Sequence, residues 1–197
     1  MNLANKITLV RIGMIPFFMM AFQQYPSWMV EQFGFLNYVN QYGLYWAVAI
    51  FVTASATDKL DGYIARKYNQ ITNFGKLLDP LADKLLVSAA LIMMVQQSMI
   101  PSWIAVVIIG REAMVSGIRI LAAAKGVALA ADKHGKLKLV LQVVAIAAVL
   151  LGNFPFSYFT NYPVDFTIMI LAVALTTYSG YTYLKNNYRE LQLDLKA

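Results

Sequence analysis

The chain has 197 residues, 59% of them hydrophobic and only 13% charged, with a net charge of +6, one histidine and no cysteine. The length suits a single domain, residues 1–197, and the low charge and high apolar content mark a membrane protein. A disulfide scaffold and a cysteine–histidine zinc site are excluded, and nucleic acid is not an expected partner, because Lys and Arg cluster beside apolar spans instead of interleaving with aromatics.

The opening MNLANKITLVRIGMIPFFMMAFQQYP starts amphipathic, becomes continuously apolar, and ends near Pro26. Lys6 and Arg11 precede that run without an A-x-A exit, so a cleaved signal peptide is not expected. Asn5, Thr8 and Arg11 share one helical face at its start, placed to meet a lipid head group or simply to anchor a lipid phosphate. Residues 26–42 are aromatic-rich with one Glu and no Lys or Arg, and read as an interfacial connection.

A second span runs from about Leu44 into Asp58 and Asp61, followed by a basic tract with turn character, Arg66–Lys76. The third runs from near Leu77 to about Val95, with Asp79, Pro80 and Asp83 in its first two turns, where Pro is tolerated. The fourth runs from Pro101 to about Ala124 and contains Arg111, Glu112 and Arg119. The polar segment Lys125–Lys138 separates it from a fifth span at Leu139–Leu151 and a sixth from about Val164 to Tyr183. The tail is polar and helical at first. His134 reads as a solvated loop residue, the Met residues as packing, and Gly110 and Gly117 as close-packing points between helices.

All 16 Lys and Arg fall at the N-terminus, in the 59–84 and 111–138 regions, or in the tail, and none in the three intervening connections. The positive-inside bias then puts both termini and the aspartate stretch on the cytoplasmic side. The expected fold is all-α: a polytopic bundle of six transmembrane helices around a polar cavity open to the cytoplasm.

The stretch TDKLDGYIARKYNQITNFGKLLDPLADK, residues 57–84, carries the chemistry. Asp58 and Asp61 stand three apart, Asp79 and Asp83 four apart, so on helices each pair shares a face. Four converging carboxylates repel one another unless cations intervene. Oxygen-only ligands suit hard ions, Mg²⁺ or Mn²⁺, and such a cluster typically holds two ions that clamp a phosphoryl group. Single aspartates would read as helix caps; two in-register pairs at membrane depth do not. Gly62, Ala65, Arg66 and Gly75 between the pairs let a bulky anion approach.

The eight residues Asp58-x2-Asp61-Gly62-x2-Ala65-Arg66-x8-Gly75-x3-Asp79-x3-Asp83 resemble, with every element in place, the signature of the CDP-alcohol phosphotransferases. Among these the chain is most similar to bacterial members that transfer a phosphatidyl group from CDP-diacylglycerol to glycerol 3-phosphate and release CMP. The resemblance implies metal ligation by Asp58, Asp61, Asp79 and Asp83, with Asp83 also the general base. It implies a CDP-diacylglycerol wall of Asp58, Gly62, Ala65, Arg66 and Gly75; Asn5 and Thr8 are added to that donor site from their helical face alone. It further implies a homodimer in the bacterial cytoplasmic membrane.

Arg111 lies roughly 15 Å inside the fourth span, where an ionised group needs a partner or a wet cavity. Adjacent helical residues diverge, so Glu112 is a poor partner for it. Arg119, eight residues on, returns to nearly the same face, and two guanidiniums on one face suit a phosphate. With Lys136 they match the family's acceptor-phosphate region, which favours glycerol 3-phosphate. Inositol phosphate is also anionic and is not excluded, and serine is a further alternative. A divalent-cation transporter would account for intramembrane aspartates, but not for the glycine, alanine and arginine positions between them.

Overall fold

The computed structural model describes residues 3–67, 73–124, 126 and 135–192, with the side chains of 3–4, 58–67, 73–77, 79–80, 135–136 and 188–192 outside the described set. Among the described residues the fold is all-α, without strands. It comprises α1 (Leu3–Phe22), α2 (Ser27–Gln32), α3 (Phe35–Lys67), α4 (Asn73–Gln96), α5 (Ser102–Ala124), α6 (Gly135–Leu150), a short 3-10 turn (Phe156–Tyr158) and α7 (Val164–Gln192).

Five of the long helices begin or end within a few residues of the expected spans. The second does not: α3 starts at Phe35, nine residues before Leu44, and α2 occupies part of the supposed connection. Residues 35–42 lower the local hydropathy without breaking a helix, and hydropathy marked the apolar stretch, not the helix. At 33 residues, α3 is about 50 Å long and exceeds a ~30 Å hydrocarbon layer. α4 begins at Asn73, so Pro80 lies beyond the first turn, contrary to expectation. α7 runs through the tail as far as Gln192.

Two helices, α1 over Asn5–Phe22 and α7 over Val164–Asn187, are long and apolar enough to cross a membrane, and α6 offers a shorter apolar length, Leu137–Leu150. α5 interrupts its apolar run with Arg111, Glu112 and Arg119. Large apolar side chains are exposed while several polar ones are buried beside the apolar core. Phe17, Tyr45, Val106 and Ile120 face outward, whereas Arg11, Lys138, Gln142 and Ser179 are buried.

α1 packs on α3 and α4, and α7 packs on α5 and α6. Phe18, Phe51, Leu86, Leu91, Met94, Ile104, Ile146 and Met169 form the shared core. Phe18 stacks on Phe22 with ring centres 5.7 Å apart. Two connections are clipped by asparagine. Asn40 Oδ1 accepts from the Tyr25 N–H at 2.8 Å and its Nδ2 donates to the Tyr25 carbonyl at 2.9 Å. Asn153 likewise donates to the Tyr162 carbonyl at 3.0 Å and accepts from the Asp165 N–H at 3.2 Å.

Gly110 and Gly117 are not packing points: both are exposed, and a side-chain carbon at either would meet nothing within 4 Å. They lie off the inward α5 face, which carries Ile104, Ile108 and Val115 at helical spacing. The close approaches fall at Gly43 and Gly180. A Cβ at Gly43 would overlap the Ala21 carbonyl oxygen, a backbone atom that cannot swing away. Gly43→Ala is therefore expected to force α1 and α3 apart and to cost about 1–3 kcal/mol, read as a lowered unfolding midpoint in detergent. An unchanged midpoint would contradict this helix contact.

Candidate active site

α3 and α4 pack together and follow one another across residues 68–72. With α3 ending at Lys67 and α4 starting at Asn73, Asp61 and Asp79 each lie roughly 9 Å from the connected helix ends. By the same measure Asp58 lies roughly 14 Å and Asp83 roughly 15 Å from those ends. Measured along its own helix, each aspartate of α3 thus has a counterpart in α4 at a similar distance from the connection. Gly62, Ala65 and Arg66 belong to α3 and Gly75 to α4. The side chains of Asp58, Asp61, Ala65, Arg66 and Asp79, and the surroundings of Gly62 and Gly75, lie outside the described residues.

Asp83 is half-buried. It lines a narrow cavity with Lys84, Ser88, Ile108, Glu112 and Gln142, whose volume of about 10 Å³ is room for about one water. Gln142 is buried and donates through Nε2 to Thr176 Oγ1 at 2.9 Å, while its Oε1 has no hydrogen-bond partner in the protein. An acceptor buried in this way suits a water or a substrate hydroxyl. Lys84 Nζ donates to Ser116 Oγ, which in turn donates to the Glu112 carbonyl at 2.6 Å, tying α4 to α5 beside Asp83.

Glu112 is the centre of the basic half of the site. Its Oε1 pairs with Arg111 Nη1 at 3.2 Å and with Lys138 Nζ from α6. The expectation that Arg111 and Glu112 make a poor pair is overturned. Their Cβ directions do diverge, but the long arginine stem turns the guanidinium back over its neighbour. Arg111 and Lys138 are 11% and 4% exposed, so two cationic side chains converge on Glu112 inside the bundle, where ionised groups depend on close partners.

Arg111 Nη2 also donates to Ser179 Oγ on α7 at 2.6 Å. Arg119, exposed, donates from Nε to the Tyr183 hydroxyl at 3.3 Å, and its Cζ stands 5.0 Å from the Tyr183 ring centre, within cation–π range. The eight-residue spacing does bring both guanidiniums to one partner, α7. Lys136 and His134 lie outside the described residues as side chains. Lys138, two residues on from Lys136, is buried. Its signal was present in the α6 pattern, where residues 138, 142, 145, 146 and 149 recur at helical spacing and are all buried although two of them are polar.

Asn5, Thr8 and Arg11 are not a surface anchor: they are 6%, 0% and 1% exposed, and none is without a partner. α1 packs on α3 and α4, so this face belongs to the bundle interior on the helices that carry the aspartates. Ser116, Ser179, Gly180 and Tyr183 were not distinguished by sequence, since small or aromatic residues in an apolar span carry no local mark of a polar role.

Comparison with known proteins agrees with the signature. The CDP-alcohol phosphatidyltransferase family model matches residues 1–178. The chain is 44% identical over 191 residues to the CDP-diacylglycerol–glycerol-3-phosphate 3-phosphatidyltransferase of Bacillus subtilis, covering 97% of each chain. It is 36% identical to the protein of that name from Rickettsia felis, covering 93% of this chain and 94% of the relative. To the Pseudomonas fluorescens protein of the same name it is 34% identical, covering 98% and 94%. By an eight-residue signature lying on two packed helices and a family match over most of its length, the chain belongs to the CDP-alcohol phosphatidyltransferase family.

Proposed function

We propose that this chain transfers the phosphatidyl group of CDP-diacylglycerol to glycerol 3-phosphate, giving phosphatidylglycerophosphate and CMP. One observation carries the reading beyond the relatives' names. Asp83 and Glu112 line the same cavity, and Glu112 holds Arg111 and Lys138, so the expected general base adjoins two buried cationic side chains. An acceptor with a hydroxyl at one end and a phosphate at the other matches that pairing.

In this reading the acceptor phosphate meets Arg111, Arg119 and Lys136, and its C1 hydroxyl reaches Asp83. Asp83 takes the hydroxyl proton as the oxygen forms a bond to the lipid-side phosphorus. The phosphoanhydride P–O bond breaks and CMP leaves with the electron pair. Gly62, Ala65 and Gly75 let the cytidine diphosphate approach the backbone, Arg66 meets a phosphate, and Asn5 and Thr8 support the head group.

Enzymes of this family use divalent metal, and the oxygen-only donors fit two ions, Mg²⁺ or Mn²⁺, held by Asp58, Asp61, Asp79 and Asp83. Bound there, the metal supplies charge neutralisation at the diphosphate. The outward apolar faces and buried polar groups support a multi-pass protein of six spans in the bacterial cytoplasmic membrane. The site and both termini are cytoplasmic, and two copies form a dimer.

Purified protein in detergent with CDP-diacylglycerol and Mg²⁺ is expected to release CMP with glycerol 3-phosphate, and not with inositol 1-phosphate, inositol or serine. Chelation should abolish release, and Mg²⁺ or Mn²⁺ should restore it. Asp83→Asn should lower kcat by roughly 10²–10⁴-fold, the usual contribution of a positioned base. Release with a different acceptor would overturn the substrate, and metal-independent release would overturn the mechanism. Arg111→Ala should raise the KM for glycerol 3-phosphate on the order of tenfold or more, the worth of a charge-assisted hydrogen bond, with the KM for CDP-diacylglycerol unchanged.

A further inference from the structure

α7 presents a buried polar face inside an apolar span. Thr176 and Ser179 are fully buried and Tyr183 is 3% exposed, spaced three and four residues apart, about one turn each. Each meets a polar side chain of another helix: Thr176 takes Gln142, Ser179 takes Arg111, and Tyr183 takes Arg119. Gly180 sits on the same face. A Cβ there would stand 3.0 Å from Arg111 Cγ and 3.3 Å from its Nε, so the arginine stem rests directly on the α7 backbone.

An arginine has four rotatable bonds, and a phosphate site built from one gains by fixing them beforehand. Arg111 is fixed along its stem by the bare backbone at Gly180, at Nη2 by Ser179 and at Nη1 by Glu112. Glycine disfavours a helix interior, and a methyl group on this one would press on the arginine stem at Cγ and Nε, which would have to give by a few tenths of an ångström.

We infer that Gly180 and Ser179 are positioning residues that set where Arg111 presents its guanidinium, and thereby select a phosphate-bearing acceptor. This rests on the assignment of Arg111 to the acceptor phosphate. Neither residue touches the substrate; both act through Arg111.

The test uses the full-length enzyme in detergent with Arg111→Ala, Gly180→Ala, Ser179→Ala and the double variant of Arg111→Ala with Gly180→Ala. For each, the KM for glycerol 3-phosphate, the KM for CDP-diacylglycerol, kcat and the unfolding midpoint are measured. Gly180→Ala and Ser179→Ala should each raise the acceptor KM on the order of tenfold and leave the donor KM unchanged. In the Arg111→Ala background, Gly180→Ala should add nothing, because the group it displaces is gone. If Gly180→Ala does not fold, Ser179→Ala decides. An effect of Arg111→Ala on the acceptor KM, with none from Gly180→Ala or Ser179→Ala, would overturn the inference alone. So would a Gly180→Ala effect that persists in full without Arg111. No effect of Arg111→Ala would overturn the acceptor-site reading, and this inference with it.

Discussion

An ionised side chain inside an apolar bundle has to find its partners among the other helices, and the interior of this protein is arranged by that requirement. Glu112 takes cations from its own helix and from α6, Ser116 joins α5 to Lys84 of α4, and Ser179 and Tyr183 of α7 receive the two arginines of α5. Each contact satisfies a charge, and all but the Arg111–Glu112 pair cross a helix boundary. The polar network is therefore also a set of cross-ties, and the apolar core around Phe18, Leu91 and Ile146 closes the bundle on the side where such ties are not required. Polar contacts of this kind define a single arrangement of helices more sharply than apolar contacts between similar-sized side chains do.

The two halves of the site are built differently. The acidic half depends on helix register: two consecutive helices each carry a pair of aspartates about one turn apart. The basic half depends on tertiary contact between α5, α6 and α7, and the α7 residues Ser179 and Tyr183 carry no local pattern. Asp83 and Glu112 are where the halves meet, in a cavity with room for about one water. A proton taken up there has polar neighbours on three helices.

That difference decides what could be read from sequence. The aspartate pairs and the small residues between them are periodic and close in the chain, so the two helices that carry them and the family they mark were legible in the sequence. The all-α character and most helix limits followed from apolar runs bounded by turn residues. The start of α3 was hidden because Phe35–Tyr42 is helical without being uniformly apolar, and hydropathy reports burial in lipid, not backbone hydrogen bonding. Arg111 and Glu112 were misjudged because the rule for adjacent residues concerns Cβ directions, and a long side chain can outrun it. Gly110 and Gly117 were preferred over Gly43 and Gly180 because a glycine's neighbours across an interface are not written near it. Lys138 was readable from the inward period of α6, but Lys136 stood nearer the family pattern.

The asparagine clips at Tyr25 and at Tyr162 bear on how such a chain enters a membrane. In the proposed topology both clips lie on the far side, in segments that must be carried through the bilayer. Fastening those ends with lysine–carboxylate pairs would require moving ionised groups through hydrocarbon, at about 2.5–3.5 kcal/mol each on insertion scales. An amide is neutral in transit, yet it carries both a donor and an acceptor once it arrives. The same choice leaves the Lys and Arg asymmetry undisturbed, so the hairpins are secured without weakening the signal that orients them.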